Sequence, residues 1–212
     1  MEYLQFSSYD IFTKAISIII GYTFGSIPFG LFLTHISGIE DIRHIGSGNI
    51  GATNVLRTGN KKIAFMTLIL DVIKATCSVI IASTLFNDTA GELAGFAAFL
   101  GHIFPIWLKF KGGKGVSTYV GVLIALNPNI VMFFASIWIL CLLVTYYSSL
   151  SSLLATAITL IAIWIISSEI NIPIIFTIMT AIVYWKHISN IKRLISGSET
   201  KIILRKSNNN EH

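Results

Sequence analysis

The sequence predicts an all-α membrane protein of seven transmembrane helices, one of them short, with the N-terminus outside and the C-terminus cytoplasmic. Three observations predict it. Of the 212 residues, 54% are hydrophobic and only 12% charged, with mean hydropathy +0.76, whereas a soluble domain carries roughly a quarter charged residues. The apolar residues fall into runs near the length of about 20 residues that a helix needs to cross a bilayer. Charge is segregated: 13 of the 15 Lys and Arg lie in 34–62, 109–118 and 186–212, between or after those runs. The net charge of +5 therefore belongs to membrane topology rather than to a nucleic-acid partner.

The first span is expected at 11–34. Acidic Glu2 and Asp10 stand where a signal peptide would be basic, and Lys14 lies near the helix start, where it can snorkel. The next span, 63–86, carries Asp71 and Lys74 within its apolar run. Their i,i+3 spacing places them on one face, where they can pair, and intramembrane charges are costly enough to make both functional candidates. Spans follow at 92–108, 129–146, 152–168 and 170–186. The run 116–127 is apolar but short, and charge decides its role. Counted as a crossing, it puts 34–62, 109–118, 145–151 and 186–212 on one cytoplasmic face. The outward segments, 87–91, 127–129 and the surroundings of Glu169, then contain no Lys or Arg. Six crossings would send 186–212 outside, against the bias. One membrane domain is expected over 1–206, and 207–212 is a polar tail expected to be disordered. Cys77 and Cys141 lie within apolar runs and suggest neither a disulfide nor a metal site.

Three polar clusters fall on the expected cytoplasmic side. The first runs Gly46-Ser47-Gly48-Asn49-Ile50-Gly51-Ala52-Thr53-Asn54-Val55-Leu56-Arg57. It satisfies G-x-G-x-x-G formally, but a dinucleotide fingerprint needs a preceding strand, and the flanks here are membrane helices. Glycines 46, 48 and 51 allow close backbone approach to an anion. Ser47, Asn49, Thr53 and Asn54 add neutral donors, and Arg57 can fork onto a phosphate.

The second cluster is Gly101-His102-Ile103-Phe104-Pro105, followed by Lys109-Phe110-Lys111-Gly112-Gly113-Lys114-Gly115-Val116-Ser117-Thr118. It fails the Walker A pattern, because Leu108 holds the first glycine position and Gly115 follows Lys114. A flexible loop with Gly112 and Gly113 presenting Lys114, ahead of a helix starting at Val116, suits an anion. The third cluster is His187-Ile188-Ser189-Asn190-Ile191-Lys192-Arg193, leading to Gly197-Ser198-Glu199. If the last helix continues, His187 and Asn190 share a face, where the imidazole can act as a base or orient a hydroxyl. His35 and Glu40 have H-x4-E spacing, a poor match to the H-x4-D motif of one class of membrane enzymes.

These clusters together resemble the bacterial acyl-phosphate:glycerol-3-phosphate acyltransferases, the PlsY family. The resemblance rests on Asp41-Ile42-Arg43 with Gly46 through Arg57, on Asp71-Val72-Ile73-Lys74, on Gly101 through Thr118 and on His187 through Glu199, in family order along nearly the whole chain. Ile50 stands where the family often has Pro, Ala75 where Gly commonly follows the Lys, and Tyr146 where a basic residue is expected before the Tyr-x-Ser stretch. In the loop Thr145 to Ser152, either Ser149 or Ser152 matches the family serine.

The resemblance implies transfer of a fatty acyl group from acyl phosphate to glycerol-3-phosphate in a bacterial cytoplasmic membrane, giving 1-acyl-glycerol-3-phosphate for phospholipid biosynthesis. An acyl phosphate is a mixed anhydride with a good leaving group, so direct attack by the acceptor hydroxyl suffices, with neither metal nor cofactor expected. Ser47, Arg57 and Lys114 are then assigned to phosphates. Thr53, Asn54, His187 and Asn190 bind or orient glycerol-3-phosphate, and either His187 or a substrate phosphate oxygen is the base. The lipid bilayer and the enzyme that makes acyl phosphate are the further partners implied. The rival from another class is a transporter for anionic metabolites, but its cations would line a path across the bilayer and an inverted repeat would be common. A thioester-dependent acyltransferase is the second rival.

Overall fold

The computed structural model describes residues 2–202, with side chains from Asp10 onward. Lys206 and the polar tail lie outside that range. Among the described residues the chain is helical, with no strand. Helices α1 (Glu2–Gly25) and α2 (Phe29–Ile36) make up the first apolar run. The single helix expected over 11–34 is broken at Ser26–Pro28, because Pro28 has no N–H and its ring disfavours the helical conformation at Ile27.

After a 3-10 turn at Ile42–His44 come the short α3 (Ala52–Leu56), then α4 (Lys61–Leu85) and α5 (Asp88–Ile103). Helix α1 packs directly on α5. A Cβ at Gly21 or Gly25 would overlap the backbone of Ala94 or Ala98 respectively. Two small residues four apart on each helix let the backbones touch, which is how membrane helices gain contact without a hydrophobic drive between them.

Helix α6 (Val116–Leu126) is the short run. Its 11 residues rise about 16 Å, about half the hydrocarbon thickness. It is held by α4, where Gly121 lies against the Val72 carbonyl and Thr76 Oγ1 donates to Gly121 O at 2.8 Å. Tyr119 anchors it in the core, fully buried, with its ring 5.0 Å edge-on from Phe176. Pro128 opens α7 (Pro128–Thr145) at once, since a helix start needs no N–H there.

Helix α8 (Ser148–Ile166) begins after only Tyr146 and Tyr147. Ser149 and Ser152 therefore stand on a helix and not in the loop expected over 145–152. The reversal is made by Tyr146, left-handed at φ +62°. Helix α9 (Asn171–Lys186) bends by 58° into α10 (Ile188–Ile195), so the straight continuation through His187 is not observed.

Five segments, Asp10–Ile36, Lys61–Leu85, Asp88–Leu108, Pro128–Thr145 and Ser148–Ile166, are long and apolar enough to cross a membrane, and the bent pair α9–α10 makes six if it is one span.

Candidate active site

All three polar clusters border one cavity of about 470 Å³. Its polar side is formed by Ser47, Thr53, Arg57, Lys114, His187 and Asn190; its apolar side includes Ile69, Val72, Val120, Ile124, Phe134 and Trp138 from α4, α6 and α7. A charged head and a greasy tail in one molecule would find matching walls here.

The first loop is shaped by Gly46 and Gly48, at φ +55° and +67°, a region only glycine enters freely. Asn54, 1% exposed, is its organiser. Its Oδ1 accepts from the Ser47 N–H at 3.0 Å and the Ser47 hydroxyl at 3.2 Å, and its Nδ2 donates to Ile42 O and Ile45 O at 2.8 and 3.0 Å. Those bonds occupy the Asn54 side chain, so it reaches a ligand chiefly through Ser47. Asn49 acts similarly, accepting from the Gly51 N–H at 2.9 Å. At the loop entrance, Asp41 caps the 3-10 turn and is bound by the Arg43 guanidinium, which with the Arg43 N–H lowers its carboxyl to about 2. Arg57, half-buried, has no carboxylate at ion-pair distance among the described residues. Burial holds its pKa below the ordinary value, against a raising influence from Glu199.

The second loop turns through left-handed Lys109 and Phe110. The Gly112 N–H donates to Ile103 O and the Gly113 N–H to His102 O, both at 3.0 Å. Gly112 and Gly113, expected as part of a phosphate-binding loop that presents Lys114, spend both amides inside the fold, and neither borders the cavity. Their lack of Cβ serves another purpose, since a side chain at Gly112 would strike the His102 carbonyl and one at Gly113 the His102 ring. The loop thus lies flat on the end of α5 and delivers Lys114. Burial, with repulsion from Arg193 and Arg57 and a partial offset from Glu199, lowers the Lys114 pKa to about 8. Gly115, at φ +87°, then starts α6, whose first residues Val116 and Ser117 border the cavity. The expected helix N-terminus beside Lys114 is present.

The third cluster closes the site. His187 is 3% exposed, and its Nδ1 sits 2.8 Å from Val183 O. A carbonyl oxygen only accepts, so Nδ1 carries the hydrogen, and in the neutral ring Nε2 holds the lone pair. Asn190 accepts from Lys114 Nζ and donates to Glu199 Oε1 at 2.6 Å. Glu199 also accepts from Ser149 Oγ at 2.8 Å and Arg193 Nε at 2.7 Å. Burial pushes this carboxyl up, and those three donors outweigh it and leave it below its usual range. Ser152 lies a turn deeper, accepting from Trp138 Nε1 at 3.0 Å; Ser149 is the serine that joins the polar network.

Of the expected site residues, Ser47, Asn49, Gly51, Thr53, Asn54 and Arg57 border the cavity, as do Lys114, Ser149, Ser152, His187 and Asn190; Gly46 and Gly48 shape the loop from outside it. Glu199 and His102 also border it. Sequence reasoning assigned neither a role, although Glu199 is the one acid amid the cations between 186 and 206.

The glycerol-3-phosphate acyltransferase family model matches residues 15–197. A glycerol-3-phosphate acyltransferase of Allorhizobium ampelinum is 52% identical over 206 residues, covering 95% of this chain and 98% of its own. One of Sinorhizobium fredii is 56% identical over 182 residues, covering 86% and 89%. Two crystal structures of PlsY (YgiH), an integral membrane glycerol 3-phosphate acyltransferase, share the fold. The glycerol 3-phosphate form aligns with TM-score 0.85 and 33% identity over 90% of this chain and 96% of that one. The lysophosphatidic acid form aligns with TM-score 0.83 and 32% identity over 90% and 95%.

Proposed function

Because the chain belongs to the glycerol-3-phosphate acyltransferase family, we propose that its cavity carries out acyl transfer from acyl phosphate, with Arg57 and Lys114 as the two phosphate-binding cations. The protein is an integral membrane enzyme that acylates glycerol-3-phosphate to 1-acyl-glycerol-3-phosphate, a step of phospholipid biosynthesis. The observation that carries the assignment is the pairing, in one cavity, of two cations lacking a carboxylate at ion-pair distance among the described residues with an apolar wall. The relatives' glycerol 3-phosphate and lysophosphatidic acid forms support the acceptor and the product.

In this reading the acyl chain lies along α4, α6 and α7, and its phosphate meets Lys114, Ser47 and the first amides of α6. Glycerol-3-phosphate is held through Arg57, Thr53 and Asn190. The acceptor hydroxyl oxygen attacks the acyl carbonyl carbon; the new ester C–O bond forms and the bond to phosphate breaks. His187 Nε2, oriented by the Nδ1 bond to Val183, takes the hydroxyl proton, and inorganic phosphate leaves. No covalent acyl-enzyme is required. Cationic charge that offsets the departing phosphate lowers the barrier more than it tightens the ground state. We further propose seven crossings of the cytoplasmic membrane of a bacterium, N-terminus outside, with the polar end of the cavity facing the cytoplasm. The cation bias of the loops supports it.

The test is purified protein with labelled glycerol-3-phosphate, given acyl phosphate or acyl-CoA in parallel. Product from acyl phosphate alone is expected. Product from acyl-CoA alone would overturn the donor assignment.

A further inference from the structure

Lys74, on α4, has no part in the chemistry above, yet it is 3% exposed in an otherwise apolar run, beside Asp71 at 2%. The Lys74 Nζ lies 2.7 Å from Asp71 Oδ1, donates to Ile27 O at 2.7 Å and meets His102 Nδ1 at 3.1 Å. An ammonium has hydrogens and no lone pair, so Nδ1 must accept. His102 is thereby fixed as the tautomer with its hydrogen on Nε2. Asp71 Oδ1, 3.7 Å from Nδ1, competes for the same ammonium. A buried ion pair is weak evidence for stability, because apolar residues of the same volume usually do as well. What this pair touches is more informative.

Its two other partners lead to the two loops of the site. Ile27 is the break from which α2 departs, and the Phe29 ring at the start of α2 lies 5.7 Å from Nζ. Three residues past Ile27, Gly30 packs its backbone onto the Ile50 carbonyl of the first loop, too closely for any side chain. On the other side, His102 accepts the Gly113 N–H on its carbonyl and abuts Gly113 with its ring. Gly113 immediately precedes Lys114. One ammonium therefore bridges the support of the Gly46–Arg57 loop and the support of the Lys114 loop.

We propose that Lys74 is a positioning residue that, through Ile27 and His102, sets the spacing between Arg57 and Lys114. The proposal rests on the assignment of those two cations to the phosphates. Two anion-binding arms on separate loops must keep a fixed separation to hold two reactants in line, and a misplacement of about 1 Å costs about a hundredfold in rate.

Asp71→Asn/Lys74→Met removes both charges at nearly constant volume. It is expected to lower kcat about tenfold or more, with KM for glycerol-3-phosphate within about threefold of wild type, since loss of alignment acts on the transition state more than on ground-state binding. His102→Phe leaves the ion pair but removes the acceptor, and is expected to lower kcat similarly. Combined with the double substitution it should add less than about twofold, because one path carries both effects. Wild-type kcat in either variant, with a folded melting transition, would overturn the proposal; so would losses that multiply. Should the double variant not be recovered folded, His102→Phe decides by the same kcat criterion. Wild-type turnover with an inactive Lys114→Ala in the same assay keeps the active-site reading standing whatever these variants show.

Discussion

The Lys114 ammonium donates to the side-chain oxygen of Asn190, 76 residues further along the chain. That bond ties the glycine loop to the bend after α9, and Asn190 passes it on to Glu199. Asn190→Ala should free Lys114 and leave one donor fewer on Glu199. The expected result is a fall in kcat of about tenfold to a hundredfold, with about 1–3 kcal/mol lost from stability. Glu199→Ala should cost more stability than Glu199→Gln, because it strands Asn190, Ser149 and Arg193 together. Melting curves in detergent check the order, and the account is wrong if Ala and Gln behave alike.

The pH profile should be governed by Lys114, whose pKa is lowered to about 8 chiefly by burial. Above that pH the free enzyme loses the charge that captures phosphate, by up to about tenfold per pH unit. The kcat/KM for acyl phosphate is therefore expected to fall above pH 8. Lys114→Arg, if active, should lose that limb, since a guanidinium stays charged. Stability moves oppositely. Between about 8 and the ordinary value of 10.5 the unfolded chain holds a proton that the folded chain has lost, so this group's contribution rises with pH in that window. An Arg variant falling at the same pH would place the titration elsewhere.

The contact of α1 with α5 depends on having no side chain at Gly25. Gly25→Val forces the helices apart and removes dispersion contacts along the seam. A loss of about 2–4 kcal/mol is expected, comparable to overpacking a well-filled core. Thermal unfolding in detergent measures it; an unchanged transition would contradict the packing described.

The seven-crossing topology places Thr89 outside and Lys111 inside. In a Cys77→Ala/Cys141→Ala background, Thr89→Cys should react with an impermeant maleimide in intact spheroplasts. Lys111→Cys should react only after lysis. The reverse pattern would invert the proposed orientation.

Helix positions were legible because burial in lipid demands unbroken apolar runs, and Arg57 and Lys114 stood out because glycines and neutral donors surround them. The break at Ile27 was carried by Pro28 but masked by the hydropathy of its neighbours. The packing role of Gly112 and Gly113 was not legible, because a glycine that admits a ligand and one that admits a neighbouring carbonyl look alike in sequence. Glu199 was underread for a related reason: its value lies in partners at 149, 190 and 193 that only the tertiary fold assembles. The sequence also placed Asp71 and Lys74 on one face, and the observed pair at 2.7 Å agrees; the link to His102 is non-local and left no periodic trace.

The most direct measurement is steady-state turnover of Arg57→Ala and Lys114→Ala, each shown to be folded, with acyl phosphate and glycerol-3-phosphate. If both cations hold phosphate in the transition state, each variant should lose at least about a hundredfold in kcat/KM. Near-normal turnover in both would contradict the account and move the chemistry out of this cavity.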